Sequence, residues 1–442
     1  MNKIIGVILF LLVYQSLGYS QTSKRVAIIG GGMSGISAAN SILKADSSAT
    51  ITIYEKEAIL GGNAQSVAIP NENGEIIYVD AGPQYFAEGP WDQYIQFLKD
   101  FNLYDPDGFS SFEGSFVINS GNSNSPNYVS PANGSLRGGK LSQSLQFLKF
   151  YKAANKICVG KTRDYPAHIG DWVESLKTKK EFNTEVVYPF LASSLGTTID
   201  EIKGTDTREI VSLFAFRKAL KKGNFLVSKE GMGTLINHAG NSLSTMGVEI
   251  KTSSPVNKVQ LINNGVSVSA NGVTETFDFV VFATHPYQAA KLIDENELKK
   301  TLNKFEYFKA HIVLHSDSTF VNNERVSFLN IKTNVTNSEL ISNTMNLSVV
   351  NSMYAGIYKS WLQTDDVDRV KANGTFLHEV IFSHPMITPE FKMYLIELKK
   401  LENNYPNIYF AGGWSEGLET QETAIISGQK ASEKYQSFML KK

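Results

Sequence analysis

Residues 24–55 constrain the fold more than any other stretch. Lys24-Arg25-Val26-Ala27-Ile28-Ile29 is a short apolar run rich in β-branched residues, the pattern of a buried parallel strand. Gly30-Gly31-Gly32-Met33-Ser34-Gly35 follows at once and satisfies G-x-G-x-x-G. Ile36 to Lys44 reads as a helix of small residues, and Thr50-Ile51-Thr52-Ile53-Tyr54 as a second strand ending at Glu55. Strand, glycine turn, helix and strand in that order predict a βαβ unit that grips a dinucleotide. Gly30 lets the chain turn tightly out of the strand. Gly32 has no side chain, so a pyrophosphate can approach the backbone. Gly35 lets the helix lie close on the sheet, and the helix N-terminus offers N–H groups and partial positive charge to the phosphates. Glu55, 20 residues after Gly35, stands where a carboxylate bonds ribose hydroxyls. Its charge disfavours a 2′-phosphate, so NADP is not expected.

The chain has 442 residues, enough for two or three packed units, and 42% of them are apolar, which excludes a disordered protein. With 42 basic against 43 acidic residues it has no long-range field to attract nucleic acid. Cys158 is the only cysteine, so neither an internal disulfide framework nor a zinc site of several thiolates can form. His311 and His315 share a face of an expected strand, but two ligands without a third do not make a metal site, and none is expected.

Residues 1–20 read as a signal peptide. Lys3 supplies a positive start, Ile4–Tyr14 is an 11-residue apolar run broken only by Gly6, and Gly18 and Ser20 suit a cleavage site. The run is too short to span a bilayer of about 30 Å. A secreted or periplasmic protein with no stable membrane anchor after cleavage is expected, its cofactor loaded after export. Sequons stand at Asn133, Asn334, Asn346 and Asn373.

Further motifs narrow the cofactor. Leu60-Gly61-Gly62-Asn63 follows Glu55, and Val79-Asp80-Ala81-Gly82-Pro83-Gln84-Tyr85 ends a strand with a turn. Near the C-terminus Asn407-Ile408-Tyr409-Phe410-Ala411-Gly412-Gly413-Trp414 is strand-then-glycine, followed by a helix from Glu422 to Ala431 with small residues on one face. Together with Asp278–Thr284 and Lys229–Ile236, these residues resemble the flavin-containing amine oxidase superfamily, which includes monoamine oxidases, phytoene desaturases, and prenylcysteine-oxidase-like and polyenoic-fatty-acid-isomerase-like proteins. The resemblance covers both ends of the mature chain. It is loose over about 100–220 and 300–390.

The resemblance implies FAD and an α/β fold: a Rossmann-like FAD/NAD(P)-binding domain split into 24–98, 225–298 and 395–442, with an inserted α+β substrate domain of mixed sheet and helices from 99–224 and 299–394. Gly30, Gly32, Met33, Ser34 and Gly35 would hold the pyrophosphate, and Glu55 with Lys56 the adenosine ribose. Gly61, Gly62 and Asn63 would pass the isoalloxazine side, and Gly82, Pro83, Gln84 and Tyr85 would line the flavin. Val256 would meet adenine, while Gly412, Gly413, Trp414, Glu422 and Thr423 would hold the ribityl chain and pyrimidine edge. The catalytic candidates are Lys309 and His311, on the strand expected over 305–317, where family members often place a lysine that holds a water near flavin N5. Three features depart from the family. Asn63 stands where Arg is usual, Thr420 where monoamine oxidases have a tyrosine, and no flavin-linking cysteine lies near the C-terminus.

The stretch 101–140, rich in Ser, Asn and Gly, reads as a surface linker or access loop, and 141–222 mostly as helices. Tyr354, Tyr358 and Trp361 read as core packing or as the lining of an apolar channel. With a single dinucleotide fingerprint, electrons from substrate must leave to O2, to another acceptor or back onto the product. The leading expectation is an exported FAD-dependent oxidoreductase of amine-oxidase type acting on a small-molecule amine or lipid-like C–H bond. The alternatives are a redox-neutral isomerase or desaturase-like enzyme on a lipid or polyene, and a binding protein that uses FAD only for stability.

Overall fold

The computed structural model describes residues 23–440 except 121–125, 131–140, 216–223, 264, 323–325 and 334–339. The expected leader and the sequons at Asn133 and Asn334 lie outside the described residues.

The first layer is a parallel sheet. β1 (Arg25–Ile29), β2 (Thr50–Tyr54), β9 (Glu249–Lys251), β13 (Phe279–Phe282) and β19 (Ile408–Phe410) align in the order β19-β13-β1-β2-β9. β1 pairs in parallel with both β2 and β13, so that Ile28 lies between Ile53 and Val281. Nearly all of these side chains are buried on both faces, which is why the runs read as continuous rather than alternating. One face is covered by α1 (Met33–Ala45), α4 (Met232–Thr245) and α7 (Gln421–Leu440), through Ile36, Ile42, Leu235, Leu243, Ile425 and Tyr435. Small residues bring α1 and α7 together. A Cβ on Gly428 would stand 2.5 Å from that of Ser37, and Ser37 Oγ donates to Ile425 O at 2.9 Å. The other face is covered by the antiparallel β10 (Val256–Ile262), β11 (Gly265–Ala270) and β12 (Val273–Phe277), and by α5 (Pro286–Leu292).

The second layer is a seven-stranded mixed sheet. It consists of β6 (Phe116–Ser120), β7 (Tyr128–Val129), β14 (Tyr307–His315), β15 (Leu329–Thr333), β16 (Ile341–Asn346), β17 (Tyr358–Trp361) and β18 (Phe376–Pro385), ordered β18-β14-β17-β16-β15-β6-β7. Only β6 and β15 run parallel. Leu314 opposes Lys359, Ile312 opposes Trp361, and Phe308 opposes His384, so these six side chains share one face. Lys309 and His311 alternate onto the other face, part of which α6 (Thr364–Ala372) covers through Val367 and Val370.

The stretch 101–140 departs from the linker reading. β5 (Phe109–Glu113), β6 and β7 lie within it; β5 pairs with β8 (Asn224–Ser228), and β6 with β15. β8 and β15 are more than 100 residues from β5 and β6, so these pairings leave little trace in local composition. The helices expected over 141–222 include α3 (Leu141–Cys158), whose Phe150 and Ile157 are buried with Trp172 and Leu191. Cys158 is a buried free thiol. A final pair, β3 (Ser66–Pro70) and β4 (Ile76–Asp80), delivers the chain to the turn at Gly82, and α2 (Asp92–Asp100) follows.

Candidate functional site

Two backbone-only walls face each other where β1 ends. Gly30 has φ +110°, and a Cβ there would stand 2.3 Å from Ala283 O. Gly61 N donates to Gly31 O at 3.0 Å, and Gly32 faces Gly62 with no side chain on either. α1 begins at Met33 with Gly32 as its N-cap and no side-chain cap, so the N–H groups of the first turn are left to a ligand. Glu55 is buried beside them. Its Oε2 accepts from Gly31 N at 2.7 Å and its Oε1 from Glu57 N at 2.9 Å, leaving each oxygen a lone pair. Ser254 N donates to Glu55 O at 2.8 Å, which brings the start of β10 and Val256 to the same edge. Lys56 is exposed and pairs with Glu57 at 3.0 Å.

The turn after β4 forms the next part of the crevice. A Cβ on Gly82 would stand 1.7 Å from Asn63 O, so only glycine lets the two turns lie together. Gln84 is buried, and its Oε1 has no hydrogen-bond partner among the described residues. The ring of Tyr85 is enclosed edge-on by Phe112, Phe225 and Phe328. An uncapped helix start, a side-chain-free gap and an orphaned buried amide oxygen together fit an extended dinucleotide.

Lys359 enters this crevice from the second sheet. It is 1% exposed, and its Nζ donates to Gly82 O. Asp80, also buried, accepts from Ser66 Oγ at 2.6 Å and from Met232 N at 2.8 Å, where α4 starts. Burial pushes the Lys359 ammonium well below its ordinary range, opposed by the charge of Asp80. Burial pushes the Asp80 carboxyl up, opposed by Ser66, Lys359 and the α4 backbone.

A second polar cluster closes the C-terminal edge of the parallel sheet. A Cβ on Gly413 would meet Glu419 Cα at 3.1 Å, so Glu419 lies against the glycine turn that follows β19. Glu419 Oε1 takes His285 Nε2 at 2.9 Å, and its Oε2 takes His384 Nδ1 at 3.3 Å. His285 caps α5, its side chain accepting from the backbone of Gln288, which leaves the Nε2 proton for Glu419. Burial works to raise the Glu419 carboxyl, but the two imidazoles overcome it and hold it at about 2. Rings surround the cluster: Tyr287 and Tyr307 beside His285, and Phe308 and Phe382 beside His384. Tyr307 Oη is buried without a partner among the described residues.

The remaining sequence candidates fall in several places. Trp414 is fully buried on Phe305, with Nε1 donating to Thr284 O. Glu422 accepts from Gln93 N and Tyr94 N, at 3.0 and 2.8 Å, and so caps α2. Thr423 and Thr420 bond reciprocally at the start of α7. Lys309 is exposed and bonds Ser383, while His311 pairs with Glu379, which also holds Lys371. Both lie on the sheet face away from Lys359. His315 is buried on Ser360, and burial lowers its pKa to about 4; it and His311 bond different partners, Ser360 and Glu379. Among the described residues no group of three His, Cys, Asp or Glu is placed to hold a metal. Sequence reading missed Lys359, Asp80, His285, His384 and Glu419. Glu419 stood only three residues before the expected Glu422, and a lysine among the aromatic residues at 358–361 was the other available signal.

The family model of flavin-containing amine oxidoreductases matches residues 33–321. No curated protein matches the chain in sequence. Among solved structures, the chain is similar to one described as a protoporphyrinogen oxidase from Exiguobacterium sp. 255-15, with TM-score 0.67 and 15% identity over 95% of this chain and 100% of that one. It is also similar to a CLA-producing fatty acid isomerase from P. acnes, with TM-score 0.64 and 11% identity over 92% and 97%. A putrescine oxidase bound to putrescine gives TM-score 0.64 and 12% identity over 94% and 99%.

Proposed function

The chain belongs to the flavin-containing amine oxidoreductase family, and on that premise we propose that it is an exported oxidase that takes hydride from a C–H bond next to the nitrogen of a small amine. FAD is its cofactor and, when bound, supplies the ring that accepts hydride and passes electrons to O2 or another acceptor. The protein's share is to bind, orient and exclude water. The glycine turn at 30–35 receives the pyrophosphate, faced across the gap by Gly62, Glu55 receives the ribose, and the enclosed Tyr85 keeps the flavin side dry.

The observation that carries the amine reading is Glu419. An ionised carboxylate beside the cofactor crevice, with a lone pair left on each oxygen and aromatic rings around it, attracts an arriving ammonium group. A second reading, isomerisation or desaturation of an apolar lipid, is favoured by Phe308, Ile312 and Phe382 on the same sheet face and by Thr420 in place of an aromatic residue.

Anaerobic mixing of the yellow protein with amines, amino acids, prenyl thioethers and polyenoic acids separates them. The amine reading expects lasting bleaching by an amine, and peroxide once air is admitted. Conversion of a polyenoic acid with the flavin still oxidised, and no bleaching by any amine, overturns it. Export rests on Lys3 and the apolar run Ile4–Tyr14. The mature N-terminus is then Gln21, and sequencing that finds Met1 on the secreted or cell-associated protein refutes cleavage.

A further inference from the structure

The outer face of α3 has no role in the site described above. Leu141, Leu145 and Leu148 recur at i, i+4 and i+7 and are 64%, 61% and 47% exposed. Lys152 continues the same stripe, and Lys149 and Lys156 lie along its edge. With Ala153 and two of the leucines, these lysines line a shallow open groove. All 18 residues of α3 are free of Asp and Glu, so nothing on the helix cancels three positive charges. The opposite face is fixed in the core by Phe150, Ala154, Ile157 and Cys158. The helix therefore cannot roll to hide its leucines.

Monomeric proteins seldom align exposed leucines on a well-anchored helix without a partner. We propose that this face of α3 is a docking surface for an anionic lipid bilayer. Charge decides the occupant. A second copy meeting the same face by two-fold symmetry would set three lysines against three lysines. A nucleic acid would neutralise the lysines but leave the leucines in water. An anionic bilayer satisfies both, with leucines sinking into the acyl boundary and lysines at the head groups. Among the described residues no helix is long and apolar enough to cross a membrane, so the helix lies in the plane of the interface. α3 also stacks on the second sheet, Phe147 against Phe116 and Tyr128, so docking brings that layer to the membrane surface.

The test is co-sedimentation of the FAD-loaded protein with vesicles of phosphatidylcholine alone, or with about one third phosphatidylglycerol. Binding to the anionic vesicles only is expected. Combining Lys149→Gln, Lys152→Gln and Lys156→Gln should weaken it on the order of 100-fold. Combining Leu141→Ser, Leu145→Ser and Leu148→Ser should weaken it at least about tenfold. Both variants should keep the flavin absorbance and melting temperature of the parent, because these side chains are exposed. Failure of the parent to bind, equal binding to neutral vesicles, binding insensitive to the leucine changes, or a lipid-free dimer abolished by them would each overturn the proposal.

Discussion

Two glycines three residues apart should fail in different ways, and the difference tests where the cofactor sits. At Gly35 an added Cβ would stand 2.0 Å from Gly30 O, more than an ångström inside ordinary contact, and the obstacle is backbone. Neither β1 nor α1 can move without disturbing a fully buried layer, so Gly35→Ala should cost about 3 kcal/mol, the upper end for overpacking. That should lower the melting temperature by several degrees whether or not FAD is present. At Gly32 the backbone is extended, with φ −79° and ψ −177°, which alanine adopts freely. Its Cβ would meet nothing closer than Gly62 Cα at 3.7 Å. Gly32→Ala should therefore leave the FAD-free protein within about 0.5 kcal/mol of the parent. The same methyl fills the gap through which phosphates reach the first turn of α1, so FAD affinity should fall on the order of 100-fold, about 2.7 kcal/mol. The assay strips FAD from each protein, refills it while following quenching of flavin fluorescence, and records melting with and without the cofactor. Gly32→Ala should match the parent when both are empty and lose most of the stabilisation that FAD confers. If Gly32→Ala binds FAD as tightly as the parent, the gap is not the pyrophosphate site. If Gly35→Ala melts normally, β1 and α1 can move apart to admit the added methyl.

Three further outcomes are expected. Glu419→Gln should raise KM for the amine that bleaches the flavin by about tenfold with a smaller change in kcat, with FAD binding unchanged; an unaltered KM removes Glu419 from substrate recognition. Lys359→Met should leave Asp80 buried without its cation and destabilise the fold by on the order of 3 kcal/mol at pH 8. A buried carboxyl with a raised pKa stabilises only while protonated, so the deficit should shrink toward acid pH, and combining Lys359→Met with Asp80→Asn should relieve it. Burial raises Glu402 from 4.5 to about 7, opposed by the Phe410 N–H. Its contribution is full below about 4.5 and lost as pH rises through about 7, a change of up to about 3 kcal/mol. Glu402→Gln should flatten the melting profile across that window, and an unchanged profile places the linkage elsewhere.

The first βαβ unit was legible because each of its demands is local. A strand buried on both faces must be apolar throughout, and a turn at φ +110° followed by a close helix admits little but glycine. Strand β19 and helix α7 were legible for the same reason, since the helix must be lined with small residues where Gly428 meets Ser37. The polar groups that complete the site were not legible. Lys359 meets Gly82 across 277 positions, and Glu419 joins His285 across 134. Which face of a strand a lysine occupies depends on the register of its neighbours. Lys309 and Lys359 lie on adjacent strands, and only the pairing of Leu314 with Lys359 turns one to solvent and the other to the crevice. The sequence by itself therefore determined the glycine turns and helix start proposed to grip the dinucleotide, because steric demands on backbone are written residue by residue. The tertiary structure decided which charges face it, because a side chain's surroundings are set by strands and loops the chain brings from far away.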